Sequence, residues 1–255
     1  MQGTRIESLT WPEAEAALTR HRVVVLPLGA QLKEHGHHLP LNTDWLTAQY
    51  LADRLVAAAP VVMLPVLGVG HYPAFLEYPG SVSIGRETST RMIVDIVRSL
   101  HAYAGNRFYV LNTGISTNWS LEPARQELLA AGILMDYTDL HAANTAVRDR
   151  LRTQPVGTHA DELETSVLLA IHPEVVRMER AVPELAENRP GGLTRDVHAT
   201  RGVITPTGAW GDPTAATREK GVELVESMLA HLVEAVSQLA ADAYEPPPPR
   251  ERYLA

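Results

Sequence analysis

The chain has 255 residues, 45% apolar and 20% charged, an ordinary globular composition with room for one large domain or at most two small ones. A formal charge of −8 without any basic stripe speaks against nucleic acid, no apolar run approaches a membrane span, and Met1 to Glu7 lacks a signal-peptide pattern. With no cysteine, disulfides, thiolate nucleophiles and thiolate-held zinc are excluded, so any metal must be held by His, Asp and Glu. A cytoplasmic protein acting on a small molecule is expected.

In chain order, Val23 to Leu28 is short, β-branched and continuous, which predicts a buried strand. Asp44 to Ala58 follows as a helix with Leu46, Tyr50, Leu51 and Leu55 on one face. Val61 to Val66 is the next predicted strand. Thr88 to Tyr103 is helical, and Arg107 to Leu111 is a third strand stopping at Asn112-Thr113-Gly114. A helix opens at Ser120, with Glu122 and Pro123 in its first turn, and Gly132 ends it. Ile133 to Tyr137 is a fourth strand, and Asp161 to Ile171 a helix closed by Pro173. A Gly/Pro-rich loop spans Pro183 to Pro213 before a long helix from Thr214 to about Ala241. Repeated strand–helix–strand order implies one α/β domain over residues 1–243, a three-layer αβα sandwich on a mostly parallel sheet. Residues 244–255, with the Pro246 to Pro249 run, form an extended tail.

The chemistry concentrates in two segments. Lys33-Glu34-His35-Gly36-His37-His38-Leu39-Pro40, followed by Asp44, carries three of the eleven histidines to the end of the first strand. Acid and imidazole groups at the carboxyl end of a strand are what a divalent metal site in an open α/β sheet requires. Asp44 also stands where a helix N-cap is expected, and His37 and His38 cannot both face one site from extended backbone. The second segment is Thr158-His159-Ala160-Asp161-Glu162-Leu163-Glu164-Thr165-Ser166. Asp161 and Glu164 have capping-box spacing, which leaves Glu162 as the carboxylate without a local task, with His159 able to point into the same cleft.

Together these segments resemble the creatininase (creatinine amidohydrolase) family. Glu34-His35-Gly36-His37-His38-Leu39-Pro40 with Asp44 is similar to its motif Glu-Gln-His-Gly-Pro-His-Leu-Pro and following aspartate. His159 to Ser166 resembles His-Ala-Gly-Glu-x-Glu-Thr-Ser, and Tyr78 to Ile84 resembles Phe-Pro-Gly-Thr-Ile-Ser-Leu. Gly211-Asp212-Pro213-Thr214, Ala216-Thr217 and Glu219-Lys220-Gly221 also look familial. The resemblance implies a hexameric hydrolase carrying one or two divalent ions, zinc or manganese. By position it implies His35, Asp44 and Glu162 as ligands and His159 as a proton shuttle. Two departures stand out. Lys33 occupies the position of the family's glutamate, with Glu34 able to substitute only through a bulge. The family's Asn-Gly-His-Gly-Gly-Asn loop reads Asn112-Thr113-Gly114-Ile115-Ser116-Thr117-Asn118, so its histidine is missing, with His71 a candidate replacement.

The expected reaction is hydrolysis of a small polar cyclic substrate: a cyclic amide, a lactone or a cyclic ketone. Glu34, His35, Asp44 and Glu162 would hold the ion, and His159 would relay the proton. Asn112 or the Gly114 amide would stabilise the oxyanion, as would Lys33 if it does not simply pair with a carboxylate. The competing expectations are a metal-dependent keto-sugar isomerase and a non-catalytic small-molecule-binding protein. A homo-oligomer is expected, with neither nucleic acid nor membrane as partner.

Overall fold

The computed structural model describes residues 2–255. Its centre is a parallel sheet of five strands in the order β1-β3-β2-β4-β5. These are β1 Thr4–Arg5, β2 Val23–Leu28, β3 Val61–Met63, β4 Arg107–Asn112 and β5 Leu134–Tyr137. Side chains alternate between the faces. Val23, Val25, Met63, Tyr109 and Leu111 pack beneath α2 (Thr43–Ala58), α7 (Glu162–Ile171) and α8 (Arg218–Ala240). Val24, Leu26, Val62, Phe108 and Val110 face α1 (Trp11–Arg20), α3 (Arg86–Ala104) and α4 (Asn118–Ala130). The three-layer α/β expectation is met. Among the described residues no helix is long and apolar enough to cross a membrane.

Several element boundaries differ from expectation for physical reasons. β3 stops at Met63 rather than Val66 because the ladder is interrupted where Pro27 and Pro65 have no N–H, and pairing resumes only as an isolated bridge at Leu67, whose N–H donates to the Pro27 carbonyl at 2.9 Å and whose carbonyl accepts from Gly29 N at 3.1 Å. α4 starts at Asn118, two residues before the Ser120 start, and carries Pro123 within it. The Gly/Pro-rich loop contains a parallel pair of two-residue strands, β6 (Leu193–Thr194) and β7 (Val203–Ile204). The short helices α5 (Leu140–Ala143) and α6 (Thr145–Leu151) lead toward α7. α7 and α8 lie backbone to backbone, since a Cβ on Gly221 would fall 1.8 Å from the Ser166 carbonyl oxygen.

Two features place the site. β2 is central, with β3 on one side and β4 on the other, so its carboxyl end opens at the switch point where α/β sheets hold ligands. The Pro-rich tail, expected as an extended appendage, lies against α4. Fully buried Arg125 pairs with Glu122 at 2.8 Å and donates to the Pro247 and Pro248 carbonyls, both at 3.0 Å. Arg86 donates to the Tyr253 carbonyl at 2.9 Å, and Asn118 donates to the Tyr253 hydroxyl at 3.1 Å.

Truncation after Glu245 removes both tail acceptors of a buried guanidinium. The truncated chain is expected to lose about 2–3 kcal/mol of stability in urea unfolding, the scale of charged hydrogen bonds left unmade. An unchanged midpoint would mean that the tail carries no part of the fold.

Candidate metal centre

The loop leaving β2 turns under the start of α2. A Cβ on Gly29 would lie 2.4 Å from the Asp44 carbonyl oxygen, so only glycine permits this approach. The loop closes through Trp45 N to Ala30 O (3.2 Å) and Lys33 N to Leu41 O (3.0 Å). Because it is not extended, three consecutive side chains, Lys33, Glu34 and His35, can all be buried. The other wall comes from residues 158–164. His159 is fixed by paired backbone hydrogen bonds with Trp210 (3.2 and 2.7 Å), and Ala160 follows at φ 46°, a left-handed turn that swings the chain into α7.

The Lys33 ammonium lies 2.7 Å from Asp44 Oδ2 and 4.7 Å from the Phe75 ring centroid. His35 Nε2 is 3.1 Å from Asp44 Oδ1, and its Nδ1 is 2.9 Å from the Lys33 carbonyl. Across from it, His159 Nε2 lies 2.8 Å from Glu34 Oε1, while Nδ1 is 3.6 Å from Glu164 Oε2. The two imidazole rings are 4.9 Å apart. His35, His159 and Glu164 each bring a ligand atom within 4.8 Å of the others. His159 and Glu164 open on a cleft of about 290 Å³, whose wall includes Lys33, Phe75, Ser116, Trp119 and Trp210, with His35 buried behind them.

Burial opposes every charge here, and the pairings overcome it. Burial works against the Lys33 ammonium, but Asp44 and then Glu164 raise its pKa, so it stays charged. Asp44 is likewise disfavoured as an anion by burial, yet Lys33 and then His35 hold its pKa below the usual carboxylate range. Glu34 is lowered and His159 raised, each against burial, because each faces the other.

Lys33, Glu34, His35, Asp44 and His159 thus come together as expected of one site. Asp44 is not an N-cap, because α2 starts at Thr43 and the Asp44 carboxylate is engaged by Lys33 and His35. Two expected site residues lie elsewhere. Glu162 points away, accepting from Thr153 N (2.8 Å), Thr153 Oγ1 (2.8 Å) and Gln154 N (3.0 Å), and it pairs with Lys220 of α8. Asn112 is consumed by its own loop: its amide donates to the Gly114 carbonyl (2.7 Å) and Asn118 (2.9 Å) and accepts from Gly114 N (3.1 Å), so neither expected oxyanion donor is free. Glu164 is the residue the sequence reading missed. Asp161 alone caps α7, accepting from Leu163 N and Glu164 N, while the Glu164 carboxylate turns back to Ala160 N and the cleft. At 100° per residue, carboxylates two apart cannot share a helix face, so a partner for one of them was the usable signal, and Lys220 is that partner. His37 is exposed, His38 is buried against Thr165 Oγ1 at 2.8 Å, and His71 holds the Ile84 carbonyl at 3.0 Å.

The donor set fits a divalent cation. Both His35 nitrogens face oxygen acceptors, whereas a neutral imidazole donates only once. With Nδ1–H on the Lys33 carbonyl, the Nε2 lone pair faces Asp44 Oδ1, and such a lone pair would be available to a divalent cation. Glu34 fixes the Nε2–H of His159 in the same way, leaving Nδ1 toward Glu164, the carboxylate–histidine arrangement that orients metal ligands.

A family profile described as creatinine amidohydrolase matches residues 7–236. Creatinine amidohydrolase of Pseudomonas putida is 26% identical over 253 residues, covering 91% of this chain and 96% of the relative. A mycofactocin precursor peptide peptidase of Mycobacterium ulcerans is 30% identical over 243 residues, covering 90% and 86%. Among solved structures, "Creatininase Mn" superposes with a TM-score of 0.74 at 25% identity, covering 93% of this chain and 98% of that one. A creatininase mutant described as "Zn-Zn type" does so with a TM-score of 0.72 at 25% identity, with coverages of 93% and 98%.

Glu164→Gln is expected to lower Zn²⁺ affinity at least ~10-fold in a competition titration while leaving stability within about 1 kcal/mol, whereas Glu162→Gln does the reverse, costing about 2–3 kcal/mol through the loss of a buried carboxylate paired with half-buried Lys220. Equal metal loss in both variants would restore Glu162 as a ligand. A second expectation concerns His38, whose pKa burial pushes down to about 4 from 6.5. Between these values the unfolded chain takes a proton that the folded one refuses, so stability falls as pH drops from about 6.5 to about 4 and the effect is complete below. Relative to a non-titrating His38→Gln chain, wild type should lose up to about 3 kcal/mol across that window in urea melts.

Proposed function

The chain belongs to the creatininase family of metal-dependent hydrolases, and we propose that it hydrolyses a small, polar, cyclic substrate at a centre held by His35, His159 and Glu164, with Asp44 beside His35. The observation that carries this reading is the convergence of those ligand atoms at the edge of a cleft of about 290 Å³ lined by His159 and Glu164, close to the lower bound for small-molecule sites. A divalent ion in such a centre supplies water of lowered pKa and polarises a carbonyl.

The chain's own groups do the rest. Glu34 holds His159 by Nε2–H, and the Lys33 carbonyl holds His35 by Nδ1–H, so both rings present a lone pair to one point. In this reading His159 serves as a ligand, in place of the proton-shuttle role that the family resemblance implied. The Lys33 ammonium, on the cleft wall with Asp44 on one side, stabilises negative charge developing on the substrate oxygen, the task that Asn112 and Gly114 are not free to perform. Phe75, Trp119 and Trp210 give the cleft flat apolar walls suited to a ring. Exposed Leu32 and Val82, joined through their backbones next to Lys33, support a homo-oligomer.

Chelator-stripped protein should lose turnover of cyclic amides, lactones or cyclic ketones, and added Zn²⁺ or Mn²⁺ should restore it, with one solvent oxygen-18 incorporated per product. Full turnover after stripping would overturn the metal reading. Turnover without isotope would favour isomerisation, and cleavage of linear peptides alone would overturn the cyclic substrate.

A further inference from the structure

A related creatininase structure is described as a zinc–zinc form, yet here an ammonium group sits against the carboxylate beside the centre. Lys33 Nζ takes Asp44 Oδ2 at 2.7 Å. A metal ion would need that same oxygen at about 2.0–2.2 Å. Two ions in a shared centre stand about 3.5–4 Å apart, and the ammonium occupies the flank of Asp44 away from His35 that a second ion would need. It has little freedom to leave. Its side chain is buried, and the charge lies over the Phe75 ring at 4.7 Å and near the Tyr72 ring at 6.0 Å. Glu164 and Glu34 complete the negative surroundings that a second cation would otherwise neutralise.

We infer that Lys33 is a tethered cation filling the place of a second metal ion at Asp44, so that this centre holds one divalent ion, on the side of His35, His159 and Glu164. The inference rests on the metal-centre reading above. It gives the reacting centre one exchangeable cation and one that cannot be removed by chelation.

The test is metal stoichiometry rather than turnover. Wild type and Lys33→Glu are dialysed against Zn²⁺ and, separately, Mn²⁺, and metal per chain is measured by elemental analysis. One ion in wild type and two in Lys33→Glu are expected. Two ions in wild type, or one in a folded Lys33→Glu chain, overturn the inference while leaving the metal reading intact. No ion in wild type defeats the metal reading itself, and the inference with it. Should Lys33→Glu not fold, Lys33→Gln decides through thermal unfolding. Freed of its ammonium, Asp44 should recruit Zn²⁺, and the metal should raise the melting temperature of Lys33→Gln more than that of wild type. An equal rise in both overturns the inference.

Discussion

The buried contact between Lys33 and Asp44 constrains everything around it, because neither group tolerates removal from water alone. Asp44 gathers two partners, Lys33 on one oxygen and His35 on the other. The His35 ring is held from behind by the carbonyl of Lys33, so the segment 33–35 folds around a single carboxylate on the first turn of α2. Its remaining member, Glu34, reaches the opposite way to fix His159. Three successive residues thus position both walls of the site. That geometry requires an irregular loop and leaves no space for substitution at Gly208, where an added Cβ would fall 2.1 Å from Glu34 Oε2.

This alternation of charge also explains why a left-handed Ala160 is tolerated. The turn costs about 1–2 kcal/mol in a non-glycine residue, but it places His159 opposite Glu34 and lets Ala160 N donate to Glu164 at 2.6 Å. A charged hydrogen bond of that kind is worth about as much as the strain. The site is therefore held by contacts that also orient its reactive atoms.

The sheet was largely legible in the sequence because continuous β-branched runs such as Val23 to Leu28 can only be buried on both faces. What escaped was structure set by partners distant in the chain. β6 and β7 are too short to show any period, and the early end of β3 depends on prolines in two strands. At the site, His35 and Asp44 were legible from spacing at a strand end. Glu162 and Glu164 could be told apart only through Lys220, 58 residues beyond Glu162, which no local spacing points to. Asn112 looked available for catalysis for a similar reason: a polar residue at the end of a strand does not reveal that its amide is spent on the next loop.

That spent amide replaces something. Where the family motif has a histidine in the loop after β4, this chain has Thr113-Gly114-Ile115-Ser116, and the loop is held by hydrogen bonds instead. Asn112 binds Gly114 and Asn118, and Asn118 binds the Tyr253 hydroxyl of the docked tail. Ser116 and Trp119 consequently form a cleft wall fixed by the protein's own polar network. The loop histidine of the family motif and its glutamate two residues before the motif histidine are both absent here, the latter position being Lys33. In their places stand a neutral hydrogen-bonded loop and an ammonium. A glutamate at position 33 would leave Asp44 facing a like charge. Fixed groups of the chain, Lys33 beside Asp44 and the hydrogen bonds running from Asn112 through Asn118 to Tyr253, thus set the geometry around this cleft.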